Sequence, residues 1–131
     1  MITSEVDAAY RDGSAAVLAF LERRLAERVE ILHEPPMPAD GTYDRDVVLA
    51  AHAQQEATKQ RVLADLYEHA DVSGDDTEVV VALRVTGRLP DGNELTIVGT
   101  DTLTVVDGRV VRLHSAFDPS QMQPLSGSAS G

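Results

Sequence analysis

The 131-residue chain contains no cysteine and no tryptophan. Without cysteine there is no disulfide framework, thiolate nucleophile, zinc finger or iron–sulfur site. Other aromatic residues are few, three tyrosines and two phenylalanines. Basic residues are also scarce, 11 against 22 acidic ones, for a formal net charge of -11 and a pI near 4.6. Such an excess of acid repels phosphate, which argues against nucleic acid and anionic membranes as partners. No apolar run approaches the roughly 20 residues of a membrane span. The opening Met-Ile-Thr-Ser-Glu-Val-Asp lacks a basic and apolar leader, so the expected location is cytoplasmic. There is no G-x-G-x-x-G, P-loop or nucleophile elbow, and no cofactor is expected. Nor is there an H-E-x-x-H cluster, and no metal is expected.

What is present describes a soluble globular domain, with 43% hydrophobic and 25% charged residues. The length suits one domain, residues 1–119, followed by a flexible Gln/Pro/Ser/Gly tail, 120–131. The hydrophobic period changes midway along the chain. Residues 2–12 and 14–27 read as two helices, with Val6, Ala9 and Tyr10 on one stripe and Val17, Phe20, Leu21 and Leu25 on the other. Gly13 separates them, and Ser14 or Asp12 is expected to cap the second. Arg28–His33 reads as a strand stopped by Pro35-Pro36. Asp40-Gly41 marks a turn, and a helix is expected from Asp44 or Asp46 to about Ala57. Four β-like runs follow, Arg61–Val72, Thr77–Leu89, Glu94–Val106 and Arg109–Phe117, separated by turn signals that include Asp107-Gly108. Turn-linked strands imply an antiparallel meander, and helices before sheet indicates an α+β fold.

Four segments carry a resemblance. They are Ala8-Ala9-Tyr10-Arg11-Asp12-Gly13-Ser14, Leu32-His33-Glu34-Pro35-Pro36, Gly99-Thr100-Asp101-Thr102-Leu103, and the hairpin and strand from Val106 to His114. In this order and spacing the chain resembles the SnoaL-like or ketosteroid-isomerase-like branch of the nuclear-transport-factor-2-like fold, over about residues 6–118. The resemblance implies a curved sheet wrapped around three helices in the order α-α-β-α-β-β-β-β, enclosing a conical cavity. It implies homodimers through the outer face of the sheet and small apolar molecules as ligands. Isomerases, cyclases, epoxide hydrolases and non-catalytic binders share the fold, so the fold does not choose among them.

By the same resemblance Glu34 stands at the position of the general base that moves a proton beside a carbonyl. Desolvation of a carboxylate at an apolar wall suits proton abstraction. The alternative is a solvent-facing residue at a strand end. Asp101 aligns with a carboxyl group held neutral to donate a hydrogen bond to a developing oxyanion. Strand alternation puts it on one face with Leu95, Ile97, Leu103 and Val105. The alternative is an aspartate tied to Thr100 or Thr102. The family's oxyanion tyrosine aligns with Val6, and Tyr67 is the expected replacement if its face lines the cavity. The expected substrate-binding residues are Val17, Phe20, Ile97, Leu103, Leu113, Ser115 and Phe117. His114 is expected on the outer face, and His33 to point away from Glu34. The expectation is an acid/base enzyme acting on an apolar carbonyl, enone or epoxide compound by isomerisation, cyclisation or epoxide opening. The alternative is a non-catalytic ligand-binding or dimerisation module.

Overall fold

In the computed structural model, which describes residues 2–121, two short helices lead the chain: α1 (Ile2–Asp12) and α2 (Ser14–Arg24). Gly13 joins them at φ 108°, a left-handed value that favours glycine, and ends α1 through its N–H on the Ala9 carbonyl. Gly13 itself caps α2, so neither Ser14 nor Asp12 does; Ser14 is already helical, and its hydroxyl accepts a hydrogen bond from Gln60. Helix α2 stops three residues before the expected Glu27, because Leu25 opens β1 (Leu25–Glu34) directly. A strand absent from the sequence reading, β2 (Gly41–Asp44), then folds back on β1. Helix α3 (Arg45–Val62) runs past the expected Ala57, and its last turns carry both the ion-paired Lys59 and the buried Val62. The remaining strands are β3 (Ala64–Gly74), β4 (Glu78–Arg88), β5 (Glu94–Val106) and β6 (Arg109–Phe117).

The six strands form one mixed sheet in the order β2-β1-β6-β5-β4-β3. The expected meander β3-β4-β5-β6 is antiparallel throughout, and β1 adds in parallel to β6. Alternation assigns the faces. Inward residues are Leu25, Val29 and Ile31 on β1, Val79 and Val81 on β4, Leu103 and Val105 on β5, and, across a register shift after Thr104, Val110 and Leu113 on β6. They meet Ile2, Val6 and Ala9 of α1, Val17, Phe20 and Leu21 of α2, and Val48 of α3 in one core. A smaller cluster, Val62, Leu63, Val85 and Leu95, closes the far end.

Ion pairs fasten the helices at the rim. Arg24 of α2 reaches Glu5 of α1 at 2.5 Å and holds that carboxyl below its usual range through the hydrogen bond. At the β3–β4 turn Gly74 adopts φ 122°, and Asp75 accepts from the Thr77 and Glu78 N–H groups and the Thr77 hydroxyl. Those bonds keep the Asp75 carboxyl below its usual range. The chain does not leave the fold at residue 120: Gln121 accepts a hydrogen bond from the Val98 N–H. Residues 122–131 of the expected tail lie outside the described residues. Among the described residues, no helix is long and apolar enough to cross a membrane.

Candidate active site

A cavity of about 400 Å³ lies between the helices and the inner face of the sheet. Its wall is mainly apolar, with Val17, Phe20 and Leu21 of α2, Val47, Val48 and Ala51 of α3, and Ile31, Leu103 and Leu113 of the sheet. Its polar groups are few and concentrated, the usual composition of a small-molecule site.

On the sheet side those groups form a row. His33 of β1 pairs with Ser115 of β6, and Ser115 pairs with Asp101 of β5. All three point into the cavity. Adjacent strands stand about 4.8 Å apart, so the backbones of His33 and Asp101 are about 10 Å apart, with Ser115 between them.

Asp40 supports the outer end of the row. Its Oδ1 lies 2.5 Å from His33 Nδ1, and its Oδ2 accepts the backbone N–H groups of His33 and Met37 at 3.1 Å each. The His33 hydrogen bond, reinforced by those two N–H groups, keeps the Asp40 carboxyl below its usual range. With Asp40 ionised, the Nδ1–H of His33 donates to it, and in the neutral imidazole the lone pair is then on Nε2. The Phe117 ring stands edge-on to His33 at 5.8 Å between centroids.

The inner end is Asp101. Protein surrounds it except where it meets the cavity, and desolvation pushes its carboxyl up, against the opposing hydrogen bond from Ser115. Tyr10 of α1 also lines this end, and burial raises its hydroxyl. On α3, His52 and Gln55 complete the polar lining. Burial pushes His52 down, toward the neutral form. Behind it Lys59 bridges Glu56 at 2.8 Å and Glu68 at 2.5 Å, and the two carboxylates hold it protonated despite its burial.

Of the residues singled out from the sequence, Val17, Phe20, Asp101, Leu103, Leu113 and Ser115 line this cavity. Glu34 does not. Alternation turns Ile31 and His33 inward and Glu34 outward, where its side chain is 73% exposed and lies 3.7 Å from His114 Nε2 on the outer face. Tyr67 is 62% exposed on the edge strand β3, which pairs outward Tyr67 with outward Thr86. Ile97 keeps the inward face of β5 but lies beyond the cavity, against the Val62–Leu95 cluster. Phe117 backs His33 rather than lining the void. The sequence reading missed His33 as an inward group, together with Asp40, Tyr10 and His52. For His33 a signal existed. Once Ser115 is placed inward and β1 is laid beside β6, His33 is inward and Glu34 cannot be. Asp40 carried no such signal, because its role depends on the path of the loop after the prolines. Among the described residues, no three His, Asp or Glu side chains converge as metal ligands.

No protein-family model matches the chain, and no curated protein matches it. Solved structures do. A loop-truncation variant of IdmH is 19% identical, with TM-score 0.66, covering 95% of this chain and 99% of that one. A Burkholderia pseudomallei protein of the NTF2-like group, of unknown function, is 19% identical, with TM-score 0.60, covering 93% and 92%. A protein from Catenulispora acidiphila with a ketosteroid-isomerase-like fold, solved in complex with trimethylamine, is 12% identical, with TM-score 0.61, covering 96% and 92%. The chain therefore has the nuclear-transport-factor-2-like fold that its sequence resembles.

Proposed function

We propose that this protein is an acid/base enzyme acting on a small, largely apolar carbonyl, enone or epoxide compound, without a cofactor, as an isomerase, cyclase or epoxide-opening hydrolase. The observation that carries this reading is the row His33–Ser115–Asp101 inside an apolar cavity, with Asp40 behind the imidazole. His33 is the base: Nε2 takes a proton from the carbon beside the carbonyl, and Asp40 stabilises the imidazolium that forms. Asp101 is the acid: its carboxyl, pushed up by desolvation at the apolar wall, donates its proton in a hydrogen bond to the carbonyl oxygen as negative charge develops there. An imidazole and a carboxyl raised by burial, facing one void, provide a base and an acid for one reaction. Return of the proton from His33 to another carbon completes an isomerisation. Delivery of water to an epoxide uses the same pair.

The test uses 2-tetralone, a bicyclic ketone with acidic C–H groups, in deuterated buffer, with exchange followed by NMR. The protein is expected to accelerate exchange over buffer. His33→Ala and Asp101→Asn should each reduce that acceleration by about a hundredfold, the usual contribution of a positioned acid or base. Glu34→Gln should leave it within twofold. A protein that binds the ketone without accelerating exchange is a binding module, and the enzymatic reading is then wrong.

A further inference from the structure

Ser115 is the member of the polar row to which the acid/base reading gives no task. Its surroundings follow from register. Asp101 of β5 has two cross-strand neighbours, Val81 on β4 and Ser115 on β6. Along its own strand the same face carries Gly99 and Leu103. None of Val81, Gly99 and Leu103 has a polar side-chain atom, so Ser115 is the neighbour in the sheet whose side chain can hydrogen-bond the carboxyl. Cross-strand neighbours stand about 4.5–5.5 Å apart at Cβ, which suits two short side chains. Other elements bring titratable groups toward the same carboxyl. Tyr10 faces it from α1 and His52 from α3, with Lys59 behind, held by Glu56 and by Glu68 of β3. His33 stands beyond Ser115 on β1. Helix α2 contributes only apolar groups, Val17, Phe20 and Leu21. Among the described residues, the hydrogen bond to the Asp101 side chain comes from Ser115.

The donor and acceptor inventory gives that bond a consequence. A carboxyl that carries its proton has one O–H donor and one carbonyl acceptor, and a serine has a single hydroxyl proton. Given to one carboxyl oxygen, the Ser115 proton makes that oxygen the acceptor and leaves the proton of Asp101 on the other. The other oxygen is the one left for a ligand in the cavity that Asp101 lines. Without Ser115 the two oxygens are equivalent, and the carboxyl turns broadly about its last torsion. The bond also acts once the proton is gone, because donation to an ionised carboxylate is stronger than donation to a neutral carboxyl. Ser115 therefore opposes the desolvation that raises Asp101.

We propose that Ser115 is a positioning residue: its hydroxyl holds one oxygen of the Asp101 carboxyl and so presents the other, proton-bearing oxygen to the substrate. This deepens the acid/base reading and rests on it for Asp101 as the acid. Ser115 acts through Asp101 and not on the reacting atoms. The role differs from that of a substrate-binding residue, which is all that a place on the cavity wall implies. A serine that bound the substrate would spend its one proton on the ligand and leave the Asp101 carboxyl without a partner.

The test follows the Asp101 carboxyl carbon by NMR titration of the intact protein, its resonance identified by loss in Asp101→Asn. Exchange of 2-tetralone in deuterated buffer is measured over the same pH range. Ser115→Ala should move the Asp101 midpoint to higher pH and slow exchange about tenfold, the size of one hydrogen bond to a charged group. Ser115→Thr, which keeps the hydroxyl, should return the midpoint and recover most of the rate. Ser115→Cys, close in size but a weak donor, should behave as the alanine variant and keeps the test decisive if Ser115→Ala does not fold. A midpoint that stays in place in the alanine and cysteine variants, with the same loss of rate in alanine and threonine, is what packing alone would give and overturns the proposal. A midpoint that moves while exchange keeps its wild-type rate overturns the positioning role. Either result leaves Asp101 standing as the acid. A wild type that does not accelerate exchange overturns the acid/base reading itself and the role of Ser115 with it.

Discussion

Asp101→Asn should make the protein more stable at neutral pH and leave it unchanged in acid. The carboxyl faces a cavity that Leu103, Leu113 and Val17 also line, with Ser115 as its hydrogen-bond partner, and burial raises its folded value above the unfolded one of about 3.9. The sign follows from linkage. Below about pH 3.9 both states hold the proton, and the group contributes nothing. As pH rises above it, the unfolded chain releases the proton while the folded chain keeps it, so stability falls until the folded value is reached and is flat beyond. The loss is about 1.4 kcal/mol per pH unit within that window, which caps the penalty at pH 7 at about 4 kcal/mol. Asparagine keeps the shape and the Ser115 contact but has no proton to lose. Urea denaturation at pH 4, 5.5 and 7 should therefore show the variant gaining on wild type as pH rises, with little difference at pH 4. A variant that is less stable than wild type by the same amount at every pH would refute the reasoning. Asp101 would then be an ordinary ionised residue held by its neighbours, and the proposed acid would have no proton to give.

Two further outcomes test the frame around the site. Phe20, 1% exposed and shared between core and cavity, should cost about 3–5 kcal/mol in urea denaturation when cut to alanine, toward the lower end because the new space joins an existing void. Gly74→Ala should cost about 1–3 kcal/mol by the same measurement, since Gly74 has φ 122° and a Cβ there would lie 2.1 Å from the Glu78 carbonyl oxygen.

The sequence announced the sheet better than the site. Strands β5 and β6 occupy the residues expected of them, because Asp107-Gly108 and strict alternation leave little freedom. Helix α3 was read too short because its final turns mix the ion-paired Lys59 with a single buried Val62, beside which Leu63 and Leu66 read as the start of a strand. Strand β2 was missed because four residues after a turn carry almost no periodicity. For the site, Asp101 was legible as an acid in an apolar strand. Glu34 was chosen over His33 because a motif places a carboxylate before a proline, whereas the face of a strand residue depends on its parity with the strand beside it. That neighbour is β6, distant in sequence, and nothing local shows the pairing. Asp40 and the α3 polar groups depend on loop path and helix orientation, which are tertiary properties.

The parallel junction of β1 with β6 also has a consequence for biosynthesis. Glu30 and Arg112, cross-strand partners at that seam, lie 82 residues apart. Contacts of such separation form late and slowly. A chain emerging from the ribosome can close the β3–β4 and β4–β5 hairpins early, but the facing edges of β1 and β5 stay unpaired until β6 arrives between them. Ser115, the middle of the polar row, arrives on that same strand. Nascent chains ending before Arg109 therefore carry two open sheet edges and none of the joined His33–Ser115–Asp101 row. Ligand affinity is in this sense a readout of completed synthesis, and truncated products belong to quality control rather than to partial activity.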